Sequence, residues 1–167
     1  MSEIAAEGPQ PISAEIQEKL LSPFIAATGA ALGEMASTEV VVRAVSRGPG
    51  RHPAGNLCAE LRFASGIEGS LALIFPEGTA VALAKRMLAG VSTEVDAQLI
   101  RDCMGEIGNV MAGQAKALLA ATPYHFTFSL PRVTDVEDFQ LPPLPNCLVV
   151  FFNCDFGEFA LELFLKL

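Results

Sequence analysis

Apolar residues recur at helical spacing in the middle of the chain, and this pattern predicts a long amphipathic helix. The positions on its apolar side are Ile100, Cys103, Met104, Ile107, Met111 and Leu118. A helix with one such stripe lies with that side on a hydrophobic core. We therefore expect the opposite side of this helix to face away from the core.

Polar residues of the same helix fall on a second stripe. Asp102, Glu106 and Asn109 are separated by four and three residues, which aligns them along one side of a helix. Gly113 continues this stripe, and Gly105 and Gly108 lie beside it. A glycine inside a helix costs about 1 kcal/mol relative to alanine, so we expect a close approach by a neighbouring helix or a partner to compensate. Spacing alone also allows a simple alternative, an ordinary solvated helix face.

The rest of the chain alternates strand and helix patterns. We predict a helix that begins near Ser13 or restarts at Ser22 and Pro23 and ends near residue 35. Predicted strands cover 39–45, 57–64, 67–75, 124–130, 147–155 and 159–167, and a short helix covers 76–88. The long central helix runs to about residue 121 and is capped by Ser92 or Thr93. Residues 1–11 resemble a flexible tail, which leaves one domain at 12–167.

Composition argues against several classes of function. The 167 residues carry a formal net charge of −8 with dispersed Lys and Arg, so no basic surface for nucleic acid is expected. No apolar run is long enough to span a membrane and no signal peptide is evident, which predicts a cytoplasmic protein. The cysteines and histidines lack metal-ligand spacing, so we expect no metal site of the protein's own.

The polar helix carries a recognisable motif. Gly-Glu-Ile-Gly-Asn-Val-Met-Ala-Gly, followed at a distance by Pro131-Arg132-Val133, resembles the signature of the CheC/CheX/FliY family. Its motif positions correspond here to Asp102, Glu106, Asn109 and Pro131. A second stretch, Gly66 to Ser70 before an apolar strand, is similar to CheX in particular.

The resemblance implies a fold and an activity. The expected fold is a pseudo-symmetric α/β (α+β) domain with two long helices packed on a mainly antiparallel sheet. The expected activity is hydrolysis of the aspartyl phosphate of a CheY-type response regulator, whose receiver domain supplies the phosphorylated Asp, a Lys and Mg²⁺. Asn109 is then expected to orient the attacking water, and Glu106 to engage the receiver's Lys.

The same resemblance suggests roles for the remaining motif residues. Asp102, Gly105, Gly108 and Gly113 are expected to contact the partner, with the glycines giving clearance to its loops, whereas Pro131 is expected to be structural. A homodimer is also expected. Aligning the two long helices sets Ala27 against Glu106 and Ala30 against Asn109, which predicts one active helix and one silent helix. Two alternatives remain: a receiver-binding or flagellar-switch scaffold without turnover, or a glycine-lined homodimer contact.

Overall fold

The computed structural model describes residues 15, 17–47, 55–91, 94–136 and 146–166. A π-helical turn, Gln17–Leu21, leads into helix α1, Ser22–Ala36. Helix α2 is Glu77–Met87 and helix α3, which carries the predicted polar stripe, is Ala97–Leu119. No helix in this described part of the chain combines the length and the apolar character that a membrane crossing needs.

In the described part of the chain, seven strands form one antiparallel sheet. They are β1 Val41–Arg47, β2 Leu57–Gly66, β3 Glu68–Phe75, β4 Phe126–Phe128, β5 Arg132–Asp135, β6 Asn146–Cys154 and β7 Gly157–Lys166. The strand order is β1-β6-β7-β3-β2-β4, and β5 also pairs with β2. Helices α1 and α3 pack on each other, and α3 contacts β2, β4 and β5. The predicted α+β fold, two long helices on a mainly antiparallel sheet, is therefore confirmed.

The sheet has buried apolar residues on both faces. The main core lies between the sheet and the helices and includes Phe24, Leu61, Leu73, Met104 and Leu163. A second cluster lies on the other face and contains Cys58, Ala72, Ile74, Cys147, Val149, Ala160 and Phe164. Burial on both faces explains why β3 and β7 are almost continuously apolar, since a one-sided sheet would alternate.

Two glycines are required by the β2–β3 hairpin and by the packing of β3 beside β7. Gly66 and Gly69 have φ angles of +83° and +140°, which side-chain-bearing residues rarely adopt. A Cβ at Gly69 would also collide with the carbonyl oxygen of Phe164 on β7. The stretch from Gly66 to Ser70, which is similar to CheX, is therefore explained by the β2–β3 turn and by the close packing of β3 against β7.

Several predicted boundaries differ from the structure. Strand β5 was not predicted, because its four residues are too few to establish a strand pattern. The N-cap of α3 is Asp96, not Ser92 or Thr93: its side chain accepts a hydrogen bond from the backbone N–H of Leu99 at 2.8 Å. Residues 1–11, the predicted tail, and both predicted caps lie outside the described residues.

The glycines of α3 require a correction. Gly108 is buried, and a Cβ there would lie 3.1 Å from Leu61 Cδ1 and 3.7 Å from Ala59 Cβ, both on β2. Gly105 is also buried and faces Pro131 and Val133. The prediction that these two glycines give clearance to a partner is therefore wrong, because the chain's own strands occupy that space. Leu118, assigned to the apolar stripe, is 54% exposed.

The predicted alignment of the two long helices is wrong by one residue. It paired exposed Glu106 with Ala27, which is fully buried. Pairing Glu106 with Ala26 sets two exposed residues against each other and sets half-buried Asn109 against half-buried Gly29. The corrected alignment still leaves α1 without an acid or amide at these positions, so one polar helix remains.

The packing of Gly108 predicts opposite effects of substitution at two glycines of α3. Gly108→Leu should lower the free energy of unfolding by about 1–3 kcal/mol, because the added side chain overpacks the contact with β2. Gly113→Ala is the control: beyond its chain neighbours and the nearby backbone of its own helix, no atom lies within 4 Å of its Cβ position, so it should raise helix stability by up to about 1 kcal/mol. Urea unfolding measures both. A Gly108→Leu protein as stable as wild type would contradict this packing.

Candidate functional site

A groove of about 670 Å³ runs between α3 and the segment 130–133. Its lining residues are Gln98, Arg101, Asp102, Gly105, Glu106, Asn109, Leu130, Pro131 and Val133. The structure thus brings Pro131 next to the polar stripe of α3, as the spaced motif requires. Of the predicted site residues, Gly108 and Gly113 lie outside this lining.

Helix α3 is held so that its polar stripe faces the groove. The Asp96 cap fixes its first turn, and the buried side includes Met104, Ile107 and Met111. With that side on the core, Glu106 is exposed and Asn109 is half-buried. The orientation of both side chains therefore follows from packing on the far side of the helix.

Glu106 and Asn109 have no hydrogen bond or ion pair to other side chains within the described ranges. Asp102 differs, because its Oδ1 accepts a hydrogen bond from Gln98 Nε2 at 2.8 Å. A carboxylate and an amide one helical turn apart are thus both available to a second molecule.

The segment 130–133 forms the opposite side of the groove, and we call it the wall. Leu130 projects from it and is 85% exposed. Pro131 Cγ and Val133 Cγ2 lie 3.8 Å and 3.2 Å from the position a Cβ would take at Gly105. Gly105 therefore lets the wall lie directly against α3.

Arg101 ties the wall to α3. Its Nη2 contacts Asp135 Oδ1 at 2.7 Å, and its Nη1 donates a hydrogen bond to the carbonyl oxygen of Val133 at 3.4 Å. Sequence reasoning missed Arg101 because its partners are on the unpredicted strand β5. It also missed Gln98, although the spacing of four residues between Gln98 and Asp102 was a usable signal.

The cysteine closest to the site is not a candidate nucleophile. Burial, together with the neighbouring Asp102 carboxylate, raises the pKa of the Cys103 thiol, which keeps it protonated near neutral pH. Burial similarly raises the pKa of Cys147 to about 12. Among the residues that the structure describes, no group of three or more His, Cys, Asp or Glu is placed to hold a metal ion.

Comparison with known proteins identifies the family. A family model described as chemotaxis phosphatase CheX matches residues 57–153, more than half of the chain. No significant match was found among curated proteins. The crystal structure of a chemotaxis protein CheX from Desulfovibrio desulfuricans is similar, with a TM-score of 0.77, 24% identity and coverage of 89% of this chain and 99% of that chain.

Two further solved structures have the same fold. CheX from Vibrio vulnificus has a TM-score of 0.75 and 22% identity, and the match covers 89% of this chain and 99% of that one. CheX in the CheX–CheY–BeF3–Mg²⁺ complex from Borrelia burgdorferi has a TM-score of 0.67 and 18% identity, with coverage of 89% and 98%.

The antiparallel sheet, the paired long helices and the groove on α3 define a CheC-like domain. Within that class, the family match is to CheX, and this chain belongs to the CheX family of chemotaxis phosphatases.

Proposed function

We propose that this protein hydrolyses the aspartyl phosphate of a CheY-type response regulator. The observation that carries the proposal is that Glu106 and Asn109 line the same open groove of a CheX-family chain. Among the described residues, neither side chain has a hydrogen-bond or ion-pair partner. The complex from Borrelia burgdorferi, in which a CheX is bound to CheY with BeF3 and Mg²⁺, supports a receiver as the partner. The activity is assigned to the domain formed by residues 12–167.

Asn109 is the residue proposed to orient water. Its amide can donate one hydrogen bond and accept another, and it carries no charge that would repel the phosphoryl oxygens. The water oxygen attacks phosphorus while the bond from phosphorus to the receiver's Asp oxygen breaks, which releases inorganic phosphate and a free carboxylate. A loose transition state of this kind gains chiefly from the positioning of water.

Glu106 is proposed to bind the receiver's Lys. Its carboxylate is exposed on the same side of α3 as Asn109, one turn away, and a charge-assisted hydrogen bond to an ammonium group would fix the helix over the phosphoryl site. Mg²⁺ is proposed to be supplied by the receiver, so the protein itself needs no cofactor.

The other residues of the polar stripe, together with Pro131 of the wall, are proposed to contact or shape the interface. Asp102, held by Gln98, and the open surface at Gly113 are proposed partner contacts along the polar stripe. Pro131 is proposed to keep the wall against α3, a structural role suited to a residue without a donor or a titratable group.

A cytoplasmic location accompanies this proposal. Cys58, Cys103, Cys147 and Cys154 are all free thiols, as is usual for proteins of a reducing compartment. No contact with a membrane or with nucleic acid is proposed.

The second candidate function is a receiver-binding or flagellar-switch scaffold with the same fold. It would use the groove for binding and would not need a water-orienting amide. Because Asn109 is left free while other polar side chains of α3, such as Gln98 and Gln114, are hydrogen-bonded, we favour catalysis over the scaffold.

Removal of the Asn109 amide should separate catalysis from binding. Asn109→Ala should lower the rate of receiver dephosphorylation by about 10²-fold or more with little change in folding or receiver affinity, because the interaction is made in the transition state. Asn109→Asp should be at least as damaging, since it brings negative charge to the phosphoryl oxygens. Phosphate release from a phosphorylated receiver measures the rate.

Gln114→Ala is the control for Asn109. It removes an amide from the same helix, outside the groove, and should leave the rate of phosphate release unchanged. A wild-type rate in Asn109→Ala would make the scaffold the better account.

Removal of the Glu106 carboxylate should weaken binding as well as turnover. Glu106→Ala should raise the Kd for a receiver carrying BeF3 and Mg²⁺ by roughly tenfold, because the receiver's Lys loses its partner. Glu39→Ala, which removes an exposed carboxylate outside the groove, should bind like wild type. Unchanged affinity with lost turnover would assign Glu106 to the chemical step instead.

We also propose a homodimer formed through strand β1. This strand is at one end of the order of described strands, and Val41, Val42 and Val45 on it are 62%, 38% and 42% exposed. An edge strand with exposed valines is suited to pairing with a second copy. Sedimentation should give a dimer that the double substitution Val41→Lys and Val45→Lys shifts to monomer; a wild-type monomer at every concentration would refute it.

A further inference from the structure

Arg101 occupies a position that the proposed chemistry does not use. It lies between Gln98 and Asp102 on α3 and lines the groove, yet its guanidinium points to strand β5, where it meets Asp135 and the carbonyl oxygen of Val133. An arginine that bonds a carboxylate and a carbonyl at once fixes the geometry between two elements more firmly than a single contact does.

The two ends of this contact lie on a helix and on a strand that both meet β2. Helix α3 packs on β2 at Gly108, and β5 is paired with β2 from Glu60↔Arg132 to Leu57↔Asp135. The wall residues Leu130 and Pro131 lie between Ser129, which is hydrogen-bonded to Arg62 on β2, and the paired strand β5. Their distance from Asn109 therefore depends on how this edge of the sheet, including β5, lies against α3.

We propose that Arg101 is a positioning residue, whose ion pair with Asp135 holds the wall at the distance from α3 that the site requires. The inference rests on the proposed function, because the wall matters only if a receiver enters the groove. Asp135 is outside the groove lining and, like Arg101, lines a second cavity of about 500 Å³. Its side chain contacts Arg101, and its backbone continues the strand that carries Val133 of the groove.

Kinetics on the full chain test the proposal with four variants. Arg101→Met keeps the aliphatic part of the side chain but removes its positive charge, and Asp135→Asn removes the negative charge of the carboxylate. Arg101→Lys keeps the positive charge but lacks the second nitrogen donor of the guanidinium group. The fourth variant combines Arg101→Met with Asp135→Asn. Arg101→Met and Asp135→Asn should each lower kcat for receiver dephosphorylation by roughly tenfold, since small misplacements are costly in a positioned reaction, with a smaller change in KM. The double variant should be no slower than either single variant.

The conservative variant Arg101→Lys should recover part of the kcat that is lost in Arg101→Met. Lys166→Met and Glu68→Gln break an exposed ion pair on β7 and β3, outside the groove, and should keep wild-type kcat. A role in stability alone would lower the melting temperature of the Arg101 and Asp135 variants and leave kcat unchanged, which would overturn the proposal.

If Arg101 contacts the receiver directly, Asp135→Asn should not lower turnover or affinity. Asp135→Asn would then free the guanidinium for the receiver, so that turnover or affinity would stay equal or rise while Arg101→Met lost both. That pattern would also overturn the positioning role.

Hydrogen exchange of the protein without receiver provides a readout independent of activity. Amides of β5, residues 132–135, should exchange faster in Arg101→Met and in Asp135→Asn than in wild type, while β6 and β7 should be unchanged. Equal exchange in β5 would refute the proposed restraint on the wall. If the wild-type protein fails to accelerate dephosphorylation, the proposed function fails, and exchange alone still decides whether the pair holds the wall.

Discussion

The site depends on the close packing of α3 against strand β2. Gly108 allows this approach, because its Cβ position is only 3.1 Å from Leu61 Cδ1. The contact fixes the rotation of α3 about its own axis, and that rotation decides which side chains face outward. At the matching position of α1 the chain has Thr28, a fully buried side chain that bonds to the carbonyl oxygen of Phe24. The two long helices therefore differ in packing as well as in polar residues.

Once α3 is oriented, the other side of the groove is provided by a short and irregular part of the chain. The wall lies against Gly105, and Arg101 links α3 to β5, the strand that begins within the wall. The helix α3 thus carries the carboxylate of Glu106 and the amide of Asn109, while the wall limits the width of the groove. Sites held on regular elements with supporting contacts keep their groups positioned more precisely than sites on loops.

Much of this architecture could be predicted from sequence, because long periodic segments carry strong signals. The helical period of α3 and the apolar runs of β3 and β7 predict these elements, and the resemblance of the Glu106 and Asn109 motif to the CheC/CheX/FliY family implies the fold and the candidate site. The four residues of β5 carry no strand pattern of their own, so neither β5 nor the role of Arg101 was predicted. Periodicity also could not separate a glycine facing a partner from one facing β2, since both lie near the edge of the polar stripe.

Asn109 is proposed to reach the attacking water only in the assembled complex. A crystal structure of this protein bound to its receiver with BeF3 and Mg²⁺ tests this proposal. We expect the Asn109 amide to lie within hydrogen-bonding distance of a water opposite the bond from beryllium to the receiver's Asp, and Glu106 to contact the receiver's Lys. A complex in which α3 lies away from the receiver's active site would contradict it.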